Sequence, residues 1–173
     1  MSRNTAEPGV EISVDRAKDT SVPHSPVKII VVHAVFILAV LGAGSLLATS
    51  NLPGNWYQGL QKPWFTPPNG AFGPVWTGLY ILIGWVGARK VLYGGERLLW
   101  LVQMGLNLLW SPVFFGSQAP VAGLVVVCGM LVTILVYIVR EWRGDRLSAL
   151  LFLPYAVWVS IASALNAAIV VLN

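Results

Sequence analysis

The sequence predicts an all-α integral membrane protein, a bundle of five transmembrane helices. Three observations predict it. Hydrophobic residues make up 56% of the 173 residues and charged residues only 10%, against about 25% charged in an ordinary globular domain. Mean hydropathy is +0.71. The basic residues fall at the ends of apolar runs and alternate in side: Arg3, Arg16, Lys18 and Lys28, then Arg89, Lys90 and Arg97, then Arg140, Arg143 and Arg146 fall on one face of the membrane, and Lys62 alone on the other. That ten-to-one asymmetry puts the N-terminus in the cytoplasm and the first loop and C-terminus outside. It also checks the helix count, since a missed span would scramble the alternation.

Residues 1–27 form a disordered polar tail, and residues 28–173 the membrane domain. The tail mixes Glu7, Glu11, Asp15 and Asp19 with its basic residues and has no apolar core of signal-peptide type. The first span runs from Ile29 to Ala48, about 30 Å as a helix, and Asn51, Pro53 and Gly54 end it. A loop follows to about residue 71. In it Pro63, Pro67 and Pro68 remove backbone donors and push their predecessors out of the helical region, so the stretch from Trp56 is not expected to be helical. A second span covers Phe72 to Tyr93, with Arg89 and Lys90 snorkelling to the interface near its end, and Gly94-Gly95 breaks it. The third covers Leu98 to Phe115. Pro120 opens the fourth at a tolerated first-turn position, and it reaches about Val139. The fifth runs from Leu147 to Leu172 with Pro154 inside it as a kink.

Composition and placement exclude several functions. The formal net charge of +4 does not mark a nucleic-acid partner, because the basic residues are not gathered on one soluble face. One cysteine, Cys128, rules out an intrachain disulfide, and two histidines, His24 and His33, are too few for a metal cage. The seven carboxylates all lie in the tail or the cytoplasmic loops, so no paired-carboxylate site and no proton-relay group at membrane depth is expected. His33 has no carboxylate near in sequence to orient it and reads as a hydrogen-bonded packing residue.

The membrane interior is instead neutral and patterned. Phe72, Trp76, Tyr80 and Gly84 are four apart and share one helical face. Gln103, Asn107, Trp110, Ser111 and Phe114 form a stripe on the third span. Pro154, Trp158, Ala162 and Asn166 form another on the fifth, with Tyr155 and Leu165 beside it. Amides cannot face lipid unpaired, so both stripes face the bundle interior. Interhelical hydrogen bonding and ligand contact both remain open for Asn107 and Asn166. Ala156, Ser160, Ala164 and Ala168 read as a helix-packing stripe. The aromatic loop from Trp56 reads either as a membrane-interface belt or as a lid above a pocket lined by rings and a few amides, suited to a large, flat, mostly apolar ligand. Lys62, the loop's one charge, is expected to be exposed and salt-screened.

Three segments, WYQGLQKPWFTPPNGAFGPVWTGLY, QMGLNLLWSPVFFG and LPYAVWVSIASALN, resemble in order and spacing the tryptophan-rich sensory proteins, also called translocator proteins or peripheral benzodiazepine receptors. The resemblance covers residues 29–170. It implies a five-helix bundle, commonly a homodimer, that binds tetrapyrroles such as protoporphyrin IX under its first loop as ligand, with no required cofactor. Carried over, the ligand-binding positions are Tyr57, Pro67, Trp76, Tyr80, Asn107, Trp110, Trp158, Ala162 and Leu165. Cys128 falls where the family places a residue near the pocket, though a small core hydrophobe explains it equally. Trp76 and Trp158 match tryptophans implicated in light-dependent porphyrin degradation by some bacterial members. The end of the last span, LNAAIVVLN, lacks the Tyr and the basic residue of the animal sterol motif. Sterol is therefore a doubtful partner, although loose matches occur at Val91-Tyr93-Arg97 and Val132-Tyr137-Arg140. The expected function is a tetrapyrrole-binding membrane receptor or transporter with a sensory role. The alternatives are a light-dependent porphyrin-degrading enzyme and a passive scaffold.

Overall fold

A computed structural model describes residues 24–50 and 54–173. The tail to residue 23, and the Asn51 and Pro53 expected to end the first span, lie outside the described residues. Helix α1 spans Pro26–Ser50, α2 Asn55–Gly59, α3 Asn69–Tyr93, α4 Arg97–Ser111, α5 Pro120–Gly144 and α6 Arg146–Leu172; a π-helical turn, Pro112–Gly116, extends α4. Helix α1 takes in Pro26 and Val27, which the sequence reading left with the tail. Five of these helices, α4 counted with its π turn, are long and apolar enough to cross a membrane. The chain is a multi-pass integral membrane protein.

Helix α2 corrects one expectation. The prolines that exclude a helix begin at Pro63, so they leave Asn55–Gly59 free to coil. The π turn follows from Pro112, which has no N–H to give the α ladder. The chain closes instead through Ser117 N–H donating to the Pro112 carbonyl at 2.8 Å.

Helices α1 and α3 pack through glycine. A side chain at Gly84 would meet the Ile37 backbone at 2.6 Å, and one at Gly44 would fall inside the Tyr80 ring. Ile83, Val86, Ile134, Tyr137, Phe152, Tyr155 and Val159 are wholly buried and fill the middle of the bundle. Trp100 donates from its indole to the Ile83 carbonyl at 3.0 Å, tying α4 to α3. Of the small-residue stripe on α6, Ala156 is buried in the core and Ala168 half-buried, whereas Ser160 and Ala164 are exposed, so the stripe packs within this chain only in part.

At the Gly94-Gly95 end, a charged cluster knits α3, α5 and α6. Lys90 Nζ lies 3.0 Å from Glu141 Oε1 and 3.1 Å from Asp145 Oδ2. Arg89 pairs with Asp145 at 2.9 Å. Lys90 does not snorkel outward: it is 2% exposed and Glu141 is 3% exposed. Both glycines have positive φ, +82° and +104°, and a side chain at Gly95 would collide with Glu141 and Lys90. Ser148 donates from its hydroxyl to Asp145 at 2.6 Å. Burial alone would raise the Asp145 carboxyl. The hydrogen bonds from Arg89, Ser148 and Lys90 outweigh that and hold it well below the usual carboxylate range.

Candidate ligand-binding site

The opposite end of the bundle holds a cavity of about 720 Å³. Every spanning helix contributes to it. Gly44, Ser45 and Ala48 form the α1 wall, which sequence reasoning missed; the small residues of that apolar run were the available signal. Helix α3 supplies Phe72, Trp76 and Tyr80, α4 and its π turn supply Asn107, Trp110, Ser111, Phe114 and Phe115, and α5 supplies Val127 and Met130. Helix α6 brings Trp158, Ala162, Leu165 and Asn166. Tyr57, Gln58, Lys62 and Asn69 line the loop end, beneath α2.

Helix α2 is held as a roof by rings. Tyr57, 8% exposed, meets Phe115 edge-on at 5.2 Å, and Trp56 meets Phe114 at 5.8 Å. Phe114 stacks on Trp110 at 5.0 Å and 17°. These contacts are geometries in which aromatic quadrupoles attract. The π turn brings both Phe114 and Phe115 against Trp110, so a local helix irregularity sets the roof's seat. The two readings of the aromatic loop thus divide along it: Trp56 and Tyr57 form the lid, whereas Trp64 is 95% exposed, as an interface anchor would be.

The amides form two struts. Tyr80 donates to Asn107 Oδ1 at 3.2 Å, Asn107 Nδ2 donates to the Tyr155 hydroxyl at 2.9 Å, and that hydroxyl donates to Met130 Sδ at 3.1 Å. The Trp110 indole donates to Asn166 Oδ1 at 3.3 Å, and Asn166 Nδ2 to the Pro120 carbonyl at 2.8 Å. Asn107 and Asn166 are therefore interhelical glue, and each keeps one donor and one acceptor site for a ligand. Among the described residues no protein group accepts the indole N–H of Trp76 or Trp158. Trp76 lies 5.2 Å from Tyr80 and Trp158 5.7 Å from Phe72, ring to ring.

Eight of the expected residues, Tyr57, Trp76, Tyr80, Asn107, Trp110, Trp158, Ala162 and Leu165, line this one cavity. Two do not. Pro67 sits half-buried in the loop and outside the lining. Cys128 is exposed on α5. The buried stripe of that helix runs Gly123, Val127, Met130, Ile134, and one residue past Val127 turns about 100° away from it. Gln103, on the same sequence stripe as Asn107, is wholly buried below the cavity, where it donates to the Trp100 carbonyl. His33 bonds the Ile29 carbonyl at 2.8 Å and packs on Trp85, as a packing residue does. Among the described residues no cluster of His, Cys, Asp and Glu suits a metal.

Five spans enclosing an aromatic, almost uncharged chamber beneath a short roof helix define a multi-pass membrane protein with an internal cavity. Residues 32–172 match the model of the TspO/MBR family, and the chain belongs to that family. It is 41% identical over 149 residues to the tryptophan-rich protein TspO of Archaeoglobus fulgidus, covering 83% of this chain and 96% of that one. It is 37% identical over 147 residues to protein CrtK of Rhodobacter capsulatus, covering 81% and 91%. With the translocator protein of Sus scrofa it shares 30% over 148 residues, covering 77% and 85%. The porcine relative carries a translocator name, and none of the three is named as an enzyme.

Proposed function

We propose that this chain is a membrane receptor that binds a tetrapyrrole of protoporphyrin IX type beneath α2 and reports on porphyrin or stress state. One observation carries the reading. The 720 Å³ chamber is edged by Trp76, Trp110, Trp158, Tyr57 and Tyr80, and among the described residues Lys62 is the only charged one in its lining. Indole and phenol faces stack on any flat conjugated ring, and a chamber of about 300–1,000 Å³ accepts a small-molecule ligand. No cofactor is needed for that role. Burial pushes the Tyr57 phenol up, so the roof ring stays neutral.

The basic asymmetry of the loops supports an orientation with the cavity end outside and the charged cluster at the cytoplasm. The family resemblance supports a homodimer, and the exposed Ser160 and Ala164 offer a small-residue face for a second copy. The wholly buried middle and the ion cluster behind it favour sensing over passage through the bundle. A second reading, light- and oxygen-dependent porphyrin breakdown, draws support from Trp76 and Trp158, whose rings line the cavity and whose indole N–H groups have no acceptor among the described residues.

The test is titration of the purified protein with protoporphyrin IX in darkness and in light, followed by absorption spectra. Saturable binding without bleaching is expected. Protein-dependent bleaching moves the assignment to the degrading enzyme, and absence of saturable binding leaves a passive scaffold.

A further inference from the structure

Lys62 is not the free surface ammonium that its loop position implies. It lines the cavity, half-buried. Its Nζ donates to the Leu60 carbonyl at 3.2 Å and the Gln58 carbonyl at 3.3 Å, and sits 4.6 Å from the centre of the Tyr57 ring. Two carbonyls and a ring hold the charge in place without neutralising it. An ammonium has three donors, so one remains. Among the described residues no carboxylate pairs with Lys62; the ion pairs of Glu96, Glu141 and Asp145 all lie at the other end of the bundle.

We infer that Lys62 is a specificity-determining residue that selects flat ligands carrying a carboxylate on one edge, and that it fixes which edge enters last. The inference rests on the binding reading above. Among the described residues the chamber's lining holds one positive charge, at the roof, with the neutral donors Gln58 and Asn69 in the same lining. Deeper in, Tyr80, Asn107 and Tyr155 already bond one another. A ligand acid buried there would meet a neutral amide donor at most and no charge, so most of its desolvation cost would stand. At the roof it meets an ammonium already stripped of part of its water and held in one geometry. That pre-organisation lowers the entropy lost in pairing. The acidic edge therefore lies under α2, and the apolar edge points toward Val127 and Met130.

The experiment compares protoporphyrin IX, a dicarboxylic acid, with its dimethyl ester by quenching of tryptophan fluorescence. Wild-type, Lys62→Gln and Lys62→Arg proteins are reconstituted in the same neutral-lipid nanodiscs. The ratio of acid to ester affinity in wild type is expected to exceed that in Lys62→Gln by about tenfold, the size of one charge-assisted hydrogen bond. Lys62→Arg is expected to keep the preference. Comparing ratios cancels the different partitioning of acid and ester into lipid. The same ratio in wild type and Lys62→Gln overturns the inference while leaving the binding reading intact. A preference that vanishes in 1 M salt, where the screening length is about 3 Å, overturns it too, because long-range steering would then explain it. If neither compound binds wild type saturably, the binding reading fails first and the inference with it.

Discussion

At the roof end, neutral groups cross between helices: Asn107 to Tyr80 and Tyr155, Asn166 to Trp110 and Pro120. At the other end full charges do so: Lys90 to Glu141 and Asp145, Arg89 to Asp145. The packing around them differs as the charges require. A buried ion is tolerable only when its partners are in contact and water is excluded, so the charged end is filled, with Tyr137 and Ser148 wholly buried against it. A bonded amide makes a weaker demand. It holds the helices at a fixed spacing and leaves room between the struts, and that room is the cavity. The charged end should govern stability and the neutral end ligand affinity, and substitutions can test that division.

The largest expected effect is at the charged end. Lys90→Ala leaves Glu141, 3% exposed, without its cation. Breaking a buried pair from one side typically costs about 3–5 kcal/mol. Thermal unfolding in detergent should show that loss, whereas Lys90→Met with Glu141→Leu should recover much of it because no charge is stranded. Ligand affinity of folded Lys90→Ala protein should change little. A loss of affinity matching the loss of stability would mean the two ends are coupled, and the division would fail.

Next come the rings. Trp76→Ala and Trp158→Ala each remove a stacking face from the cavity wall, and by analogy with aromatic–base stacking each should weaken porphyrin binding by about 1–3 kcal/mol. Phe at either position keeps most of the face and should cost roughly tenfold at most. Fluorescence titration reads both. If light-dependent bleaching occurs and the Phe variants abolish it while binding persists, the indoles are doing chemistry rather than stacking.

A smaller effect concerns acid. Burial raises the Asp145 carboxyl, but the bonds from Arg89, Ser148 and Lys90 prevail and its folded value lies below the unfolded one. Its contribution to stability is complete above about pH 4, the unfolded carboxylate range, and is lost as pH falls further. Wild-type melting temperature should therefore decline below pH 4, and Asp145→Asn should flatten that decline. An unchanged slope in the variant would place the acid sensitivity elsewhere.

Much of the fold was legible because membrane insertion writes itself into local composition. Span lengths, the Pro120 start and the Gly94-Gly95 break all follow from residues next to one another. The cavity wall was legible where helix periodicity aligned rings and amides, as at Phe72, Trp76 and Tyr80. What escaped depended on partners far along the chain. Helix α2 is five residues long and is stabilised by Phe114 and Phe115. Lys90 looks like an interface residue until Glu141, some fifty positions later, is brought against it. Gln103 belongs to the same stripe as Asn107, but the stripe runs past the cavity floor into the packed middle, which periodicity cannot reveal.

Cys128 should show the smallest effect, and that makes it a sharp check on which face of α5 meets the ligand. Its neighbours Val127 and Met130 line the cavity, while Cys128 itself is exposed together with Val125 and Val132. In a bilayer that exposed face meets lipid. A thiol there, with no basic neighbour to stabilise the thiolate, should react slowly with charged alkylating reagents and readily with apolar ones that partition into the membrane. Saturating protoporphyrin IX should leave the apolar rate unchanged, because the cavity-lining stripe lies about 100° around the helix from Cys128. Mass spectrometry of the alkylated peptide measures both rates. Protection by ligand would require α5 to rotate by roughly one residue, about 100°. That rotation would drag Val127 and Met130 out of the wall and break the Tyr155–Met130 contact, so the bound chamber would be a different one from that described by these helices.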